Sequence, residues 1–324
     1  MDNLLTVAQQ VAVLFVLIGI GAALRKAKLL AGTSIEGIVN VLILVVTPCL
    51  IVDVFQRPYD PSMLKGLCVA FAVATLGHLA VIGAAHLAVR HGDGNVRRPL
   101  LLAAVFSNAG FMGIPLEQAL LGDAGVFYGA VYVAVFNLFM WSWGLGTMKN
   151  EELRMKNENA GKSKILHSTF FNLHSVVNPG TVGIALGAPL FFCSVRLPDV
   201  LGVPIHHMAN LNTPLAMVVI GYFLCGMRLG RVVKIGAVYV ATAIRLVAYP
   251  LFMLAVMYPF RRQLDRNMML ALVIAASAPV AAMVSMFAAK FGRDVDVSVA
   301  MVSGTTLLSI LTMPVVIALA MNLL

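Results

Sequence analysis

Apolar stretches of about twenty residues follow one another along the whole chain, separated only by short polar or charged segments. A helix of about twenty apolar residues spans the hydrocarbon core of a bilayer, whereas a membrane strand needs only about ten. Inside the bilayer every backbone group must be paired within the protein, so runs of this length predict membrane helices. The charge content agrees. Only 11% of the residues are charged, against about 25% in a soluble domain. The chain is expected to be an all-α polytopic membrane protein embedded in a lipid bilayer.

Ten spans fit the 324 residues, with limits near 4–24, 35–55, 63–89, 98–120, 124–148, 174–195, 206–227, 234–258, 267–290 and 295–322. In a soluble protein the net charge of +9 would suggest nucleic acid. Here the enrichment of Lys and Arg in cytoplasmic loops explains it, and no nucleic-acid partner is expected. With the N-terminus outside, sixteen basic residues fall in inner loops and six in outer ones. That asymmetry predicts a cell membrane (plasma or inner) protein with both termini on the extracytoplasmic side. Arg25 and Lys26 follow the first apolar run and no small-residue cleavage site closes it, so residues 4–24 read as an uncleaved span. Cys49, Cys68, Cys193 and Cys225 sit inside apolar runs and show neither metal spacing nor a disulfide pattern. No cofactor or metal is expected.

The longest hydrophilic stretch, 149–173, separates a first five-span repeat at 1–148 from a second at 174–324. Its second part reads either as a short amphipathic helix on the inner surface or as a solvated linker. Five is odd, so homologous halves would lie in opposite orientation. Short words recur in the same order: Thr47-Pro48 and Thr213-Pro214, "VATLGHL" at 73–79 and "VATAIRL" at 240–246, and the regions ending at Pro115 and Pro279. Their offsets are 166, 167 and 164 residues. The sequence therefore predicts a five-plus-five inverted repeat.

Within that repeat, "FSNAGFMGIPL" at 106–116 places helix breakers in the middle of an apolar run. Pro removes a helical hydrogen bond and clashes with the carbonyl four residues back. In a membrane, unwound backbone survives only where it is buried or lines a cavity. The fourth span is expected to break around Gly110, Gly113 and Pro115, and the ninth around Ser277 and Pro279. Broken helices at matching places in two halves point to a transporter's binding site. Their N-terminal ends carry partial positive charge and suit an anion.

Arg245 lies near the middle of the eighth span. It either binds a carboxylate as a two-pronged donor or caps unwound carbonyls of span nine. His78, its counterpart in the repeat, is either a proton or anion site or a neutral ring bonded to nearby backbone. Glu36, Asp53, Glu117 and Asp123 all fall near span ends, which argues against a central carboxylate pair and against a cationic substrate. Asn108, Asn137, Asn212 and Ser277 are candidate pocket residues, with Thr47 and Ser285 as similar polar groups.

"SNAGFMGIPL", "FNLFMWSWG", "NPGTVGIALG", "RLVAYP" and "SILTMP" together resemble the auxin efflux carrier family over nearly the whole chain. That family contains plant auxin carriers and bacterial malonate and malate carriers. The resemblance implies ten spans with helices four and nine crossing at their prolines, Pro115 and Pro279. It implies a scaffold of spans 1, 2, 6 and 7, and a transport part of spans 3–5 and 8–10 that moves as an elevator. It also implies a homodimer. Asn108 matches an asparagine that meets the substrate carboxylate, and Asn137 and Asn212 match further pocket asparagines. The short linker resembles the bacterial members, which favours a dicarboxylate over an indole acid.

The expected function is thus a secondary transporter for a small organic carboxylate, not an enzyme. No H-E-x-x-H, G-x-S-x-G or paired membrane Asp is present. The nearest rival is a sodium-coupled organic anion symporter of the bile-acid type. A membrane receptor or scaffold is more distant.

Overall fold

The computed structural model describes residues 2–59, 61–90, 93–149, 179–225 and 232–324. Nearly all of the 149–173 linker lies outside them, and so does the choice between its two readings. The described residues are helical, joined by short turns. In chain order the helices are α1 (Asp2–Lys26), α2 (Gly32–Phe55), α3 (Pro61–Ala88), α4 (Gly94–Val105), α5 (Ala109–Lys149), α6 (Pro179–Phe192), α7 (Asp199–Asn210), α8 (Asn212–Leu224), α9 (Gly236–Phe260), α10 (Arg266–Ser277), α11 (Met283–Lys290) and α12 (Val295–Leu323). Six of them, α1, α2, α3, α5, α9 and α12, are long and apolar enough to cross a membrane. The apolar stretch expected at 267–290 is divided between α10 and α11, and α10 is too short to cross alone.

Local sequence sets the boundaries. Asp93, Asp265 and Asp294 accept hydrogen bonds from the first-turn amides of Asn95, Met268 and Val297, and so start α4, α10 and α12. Gly122, at φ 63°, turns the chain inside α5. Only glycine takes that backbone shape freely, and the turn falls between the limits expected for spans four and five. The prolines leave a second mark. π-helical segments at Leu42–Val46, Ala109–Gly113 and Ile244–Ala248 directly precede Thr47-Pro48, Ile114-Pro115 and Tyr249-Pro250. In each, the carbonyl four residues before the proline belongs to the widened turn, which draws it away from the ring.

Packing is reciprocal between the halves. α1 lies along α8, and the C-terminal part of α2 lies along α6 and α7. A Cβ added at Gly221 would overlap the Ile18 carbonyl, and one at Gly21 would overlap Val218, so α1 and α8 touch backbone to backbone. Small residues permit this approach in membranes. Gly183 and Gly187 let α6 settle on Pro48, Ile51 and Phe55 in the same way. One apolar core is centred on α3, α4, α5, α9, α10 and α12. A second joins α1, α2 and α8 to Met112, Leu116, Ile274, Ala278, Met313 and Ile317. The second core is the seam on which the broken helices rest. Cys68, Cys193 and Cys225 lie exposed on the outer surface, and Cys49 is half-buried; all four are free thiols.

Candidate functional site

The chain leaves the helix at Phe106–Asn108, between α4 and α5, and again at 278–281, between α10 and α11. The two non-helical pieces form an antiparallel bridge at Ser107 and Val280. The Asn108 amide donates to the Pro279 carbonyl at 2.6 Å, and the Ala281 amide to the Phe106 carbonyl at 3.0 Å. Val280 donates its own amide to Thr305 Oγ1 of α12 at 3.0 Å. Backbone freed by the breaks is thus paired again, as an apolar interior requires.

The first break is therefore three residues long and precedes the glycines. Gly110 and Gly113 sit in the π-helical turn that follows it, and Pro115 lies in the α-helical turn after that. Pro279 is in the crossing itself; Pro115 is not. Pro115 is accommodated inside α5 because the widened turn before it draws the Phe111 carbonyl away from its ring.

Arg245 is fully buried. Its Nη1 donates to the Val105 carbonyl at 2.7 Å and its Nη2 to the Ala276 carbonyl. Those carbonyls belong to the last turns of α4 and α10, the negative ends of both broken helices. The planar guanidinium offers two donors in a fixed fork, which suits it to bridge them. Of the two roles open to Arg245, the carbonyl contacts are the ones present, and they reach span four as well as span nine.

A buried polar chain runs beside it. Ser107 Oγ donates to Tyr132 Oη, and Tyr132 Oη to Tyr249 Oη, each at 3.3 Å. The Arg245 guanidinium lies 4.7 Å from the centre of the Tyr249 ring, within cation–π range. His78 is fully buried among Phe106, Tyr132, Phe139 and Tyr249, stacked on Phe139. Its Nδ1 lies 2.8 Å from the Ala74 carbonyl. A carbonyl only accepts, so Nδ1 carries the hydrogen.

The remaining candidates are spread out. Asn108 is 6% exposed, and its side chain forms no hydrogen bond among the described residues. Ser277 Oγ donates back to the Ile274 carbonyl at 2.8 Å, and Asn137 Nδ2 to the Val133 carbonyl at 2.9 Å. Thr47 likewise bonds to Leu42. Asn212 is buried with its Nδ2 unpaired. It lines a cleft of about 80 Å³ between α2, α5, α7 and α8, together with Asp53, Gln118, Asp123 and His206. That volume holds a few waters or a small polar molecule. His206 Nδ1 lies 2.9 Å from Asp53 Oδ2. Two carboxylates in one cleft disfavour an anion there, whereas the crossing offers donors.

Glu117 is fully buried inside α5, one turn beyond Gly113 and shortly before the Gly122 turn, with both carboxyl oxygens unpaired. A Cβ at Gly129 would collide with the carboxyl group, so the acid fills the space that this glycine leaves. The sequence analysis also missed Tyr132, Tyr249 and Thr305. The available signal was a tyrosine hydroxyl or threonine inside an apolar run, since such groups need a partner when buried. No group of three or more His, Cys, Asp or Glu side chains gathers as a metal site among the described residues.

Comparison with known proteins gives one finding. A profile described as "Membrane transport protein" matches residues 6–317. No curated protein matches the chain. The matched family is one of transporters and not of enzymes. With nearly its whole length covered, the chain belongs to the auxin efflux carrier family of membrane transport proteins.

Proposed function

We propose that the chain is a secondary carrier for a small organic anion, a malonate- or malate-like dicarboxylate in preference to an auxin-like acid, held at the crossing. One observation carries this reading. Arg245 occupies the C-terminal ends of both broken helices, while the turn that begins at Ala109 has the first amides of a helix start, which its own carbonyls cannot pair; at the other break Val284 and Ser285 already donate to Ala281 and Ala282. Asn108 stands at the start of the Ala109 turn, and its side chain forms no hydrogen bond among the described residues. The excess at the crossing is thus in donors and positive helix ends, which favour a carboxylate. Arg245 holds the crossing together, and Asn108 meets the substrate.

Ten spans in an inverted repeat complete the proposal. The reciprocal pairing of α1 with α8 and of α2 with α6 supports it. So does the fit of the helices to the expected limits. Spans 1, 2, 6 and 7 form a dimeric scaffold, and the rest move against it as an elevator. The protein lies in the cell membrane with both termini outside.

The test is uptake of labelled malonate, malate and indole-3-acetate into proteoliposomes, with and without sodium. Sodium-independent exchange of a dicarboxylate supports the carrier. Strict sodium dependence favours the bile-acid type of symporter instead, and no uptake of any of the three removes the anion reading.

A further inference from the structure

Glu117 has no place in the mechanism above, yet it is the acid most deeply set in the described structure. Neither of its oxygens receives a hydrogen bond. Burying an ionised carboxylate without a partner costs far more than burying the neutral acid. A group in this position therefore stays only if it carries a proton in the state observed.

Its surroundings suit a proton better than a metal ion. The carboxyl group is wedged between Gly129 and Gly113: a Cβ at Gly129 would overlap it, and one at Gly113 would lie 3.7 Å from Oε1. Hard cations take several oxygen ligands, and glycine faces supply only C–H surface. The helices packed against this part of α5 are α1, α2, α3, α6, α8 and α10. Their titratable groups are Asp2, Arg25 and Lys26; Glu36, Cys49 and Asp53; Lys65, Cys68, His78 and His86; none on α6; Tyr222; and Arg266. Asp123, Tyr128, Tyr132 and Lys149 share its own helix. None of them bonds to Glu117.

A route to water lies close. Ile114 and Gln118, neighbours of Glu117 on α5, line the cleft that also contains Asp53 and Asp123. These two residues place the cleft beside the turn of α5 that carries Glu117.

We propose that Glu117 is a proton-carrying group of this transporter, binding one proton from water on one side of the membrane and releasing it on the other in each cycle. The proposal rests on the carrier reading above. An O–H bond forms on one face and breaks on the other, with the proton passing to and from water and no electrons exchanged. One proton carried with each anion removes one negative charge from the load. That matters because a membrane potential of 100 mV opposes anion uptake by about 2.3 kcal/mol per charge.

The experiment uses full-length protein in sodium-free proteoliposomes, with a pH dye inside and malonate or malate outside. In the wild type, anion uptake should acidify the lumen. At clamped zero potential, a one-unit inward proton gradient should drive up to about tenfold accumulation. Glu117→Gln, a mimic of the neutral acid, should keep anion exchange within about twofold and lose both effects. Anion uptake without acidification in the wild type overturns the proton proposal alone, as does proton-driven accumulation that survives in Glu117→Gln. Absence of anion uptake by the wild type overturns the carrier reading with it. If Glu117→Gln fails to reach the membrane, Glu117→Asp keeps a titrating carboxyl group and should shift the pH midpoint of uptake; an unmoved midpoint overturns the proposal.

Discussion

At the second break, Thr305 receives the amide of Val280 and Ser277 gives its hydroxyl to Ile274, while the Ser285 hydroxyl in the turn that follows is buried without a partner among the described residues. At the first break, Ser107 joins Tyr132, but the side chain of Asn108 has no partner among the described residues. Both breaks share Arg245, which ties Val105 to Ala276. The difference separates two tasks within one crossing. The second break commits Ser277 and Thr305 to backbone and leaves one hydroxyl over, and the first keeps the donor and acceptor of an amide side chain for a ligand.

Removing the shared element should have the largest effect. Arg245→Met leaves two buried carbonyls unpaired, at roughly 1–3 kcal/mol each, so thermal unfolding in detergent should show a loss of roughly 2–6 kcal/mol or no folded protein. Arg245→Lys should recover only part of this, because one ammonium cannot reproduce the fork. Asn108→Ala comes next. It should weaken carboxylate binding about 10–100-fold, or about 1.4–2.8 kcal/mol, with the unfolding midpoint nearly unchanged. Thr305→Val strips the acceptor from Val280 and should cost about 1–2 kcal/mol of stability, with ligand affinity following only as the fold weakens. Ser277→Ala should cost least, about 0.5 kcal/mol, because its hydroxyl only bonds back to a carbonyl of its own helix. If Thr305→Val and Asn108→Ala exchange these signatures, the division of tasks between the breaks is wrong.

The helices were largely legible in the sequence, because apolar run length and charged turns act locally. The crossing was less so. Its breaking point was read from Gly110, Gly113 and Pro115, residues with strong local preferences, whereas the residues outside the helices are Phe106, Ser107 and Asn108. These are held out of a helix by partners about 170 residues away, and Pro115 is absorbed by a widened turn. Arg245 stood out as a costly charge inside a span, but one of its carbonyl targets is on α4, 140 residues away. The burial of Glu117 was not legible, because it depends on the notch left by Gly129 beyond the Gly122 turn, and such a notch has no local sequence mark.

The most direct test of the crossing as an anion site is calorimetric titration of malonate, without sodium, into purified wild type, Asn108→Ala and Asn137→Ala. Binding by the wild type, a loss of at least tenfold in Asn108→Ala and a smaller change in Asn137→Ala are expected. Equal affinity of the wild type and Asn108→Ala would place the substrate elsewhere and contradict the assignment of the first break to the ligand.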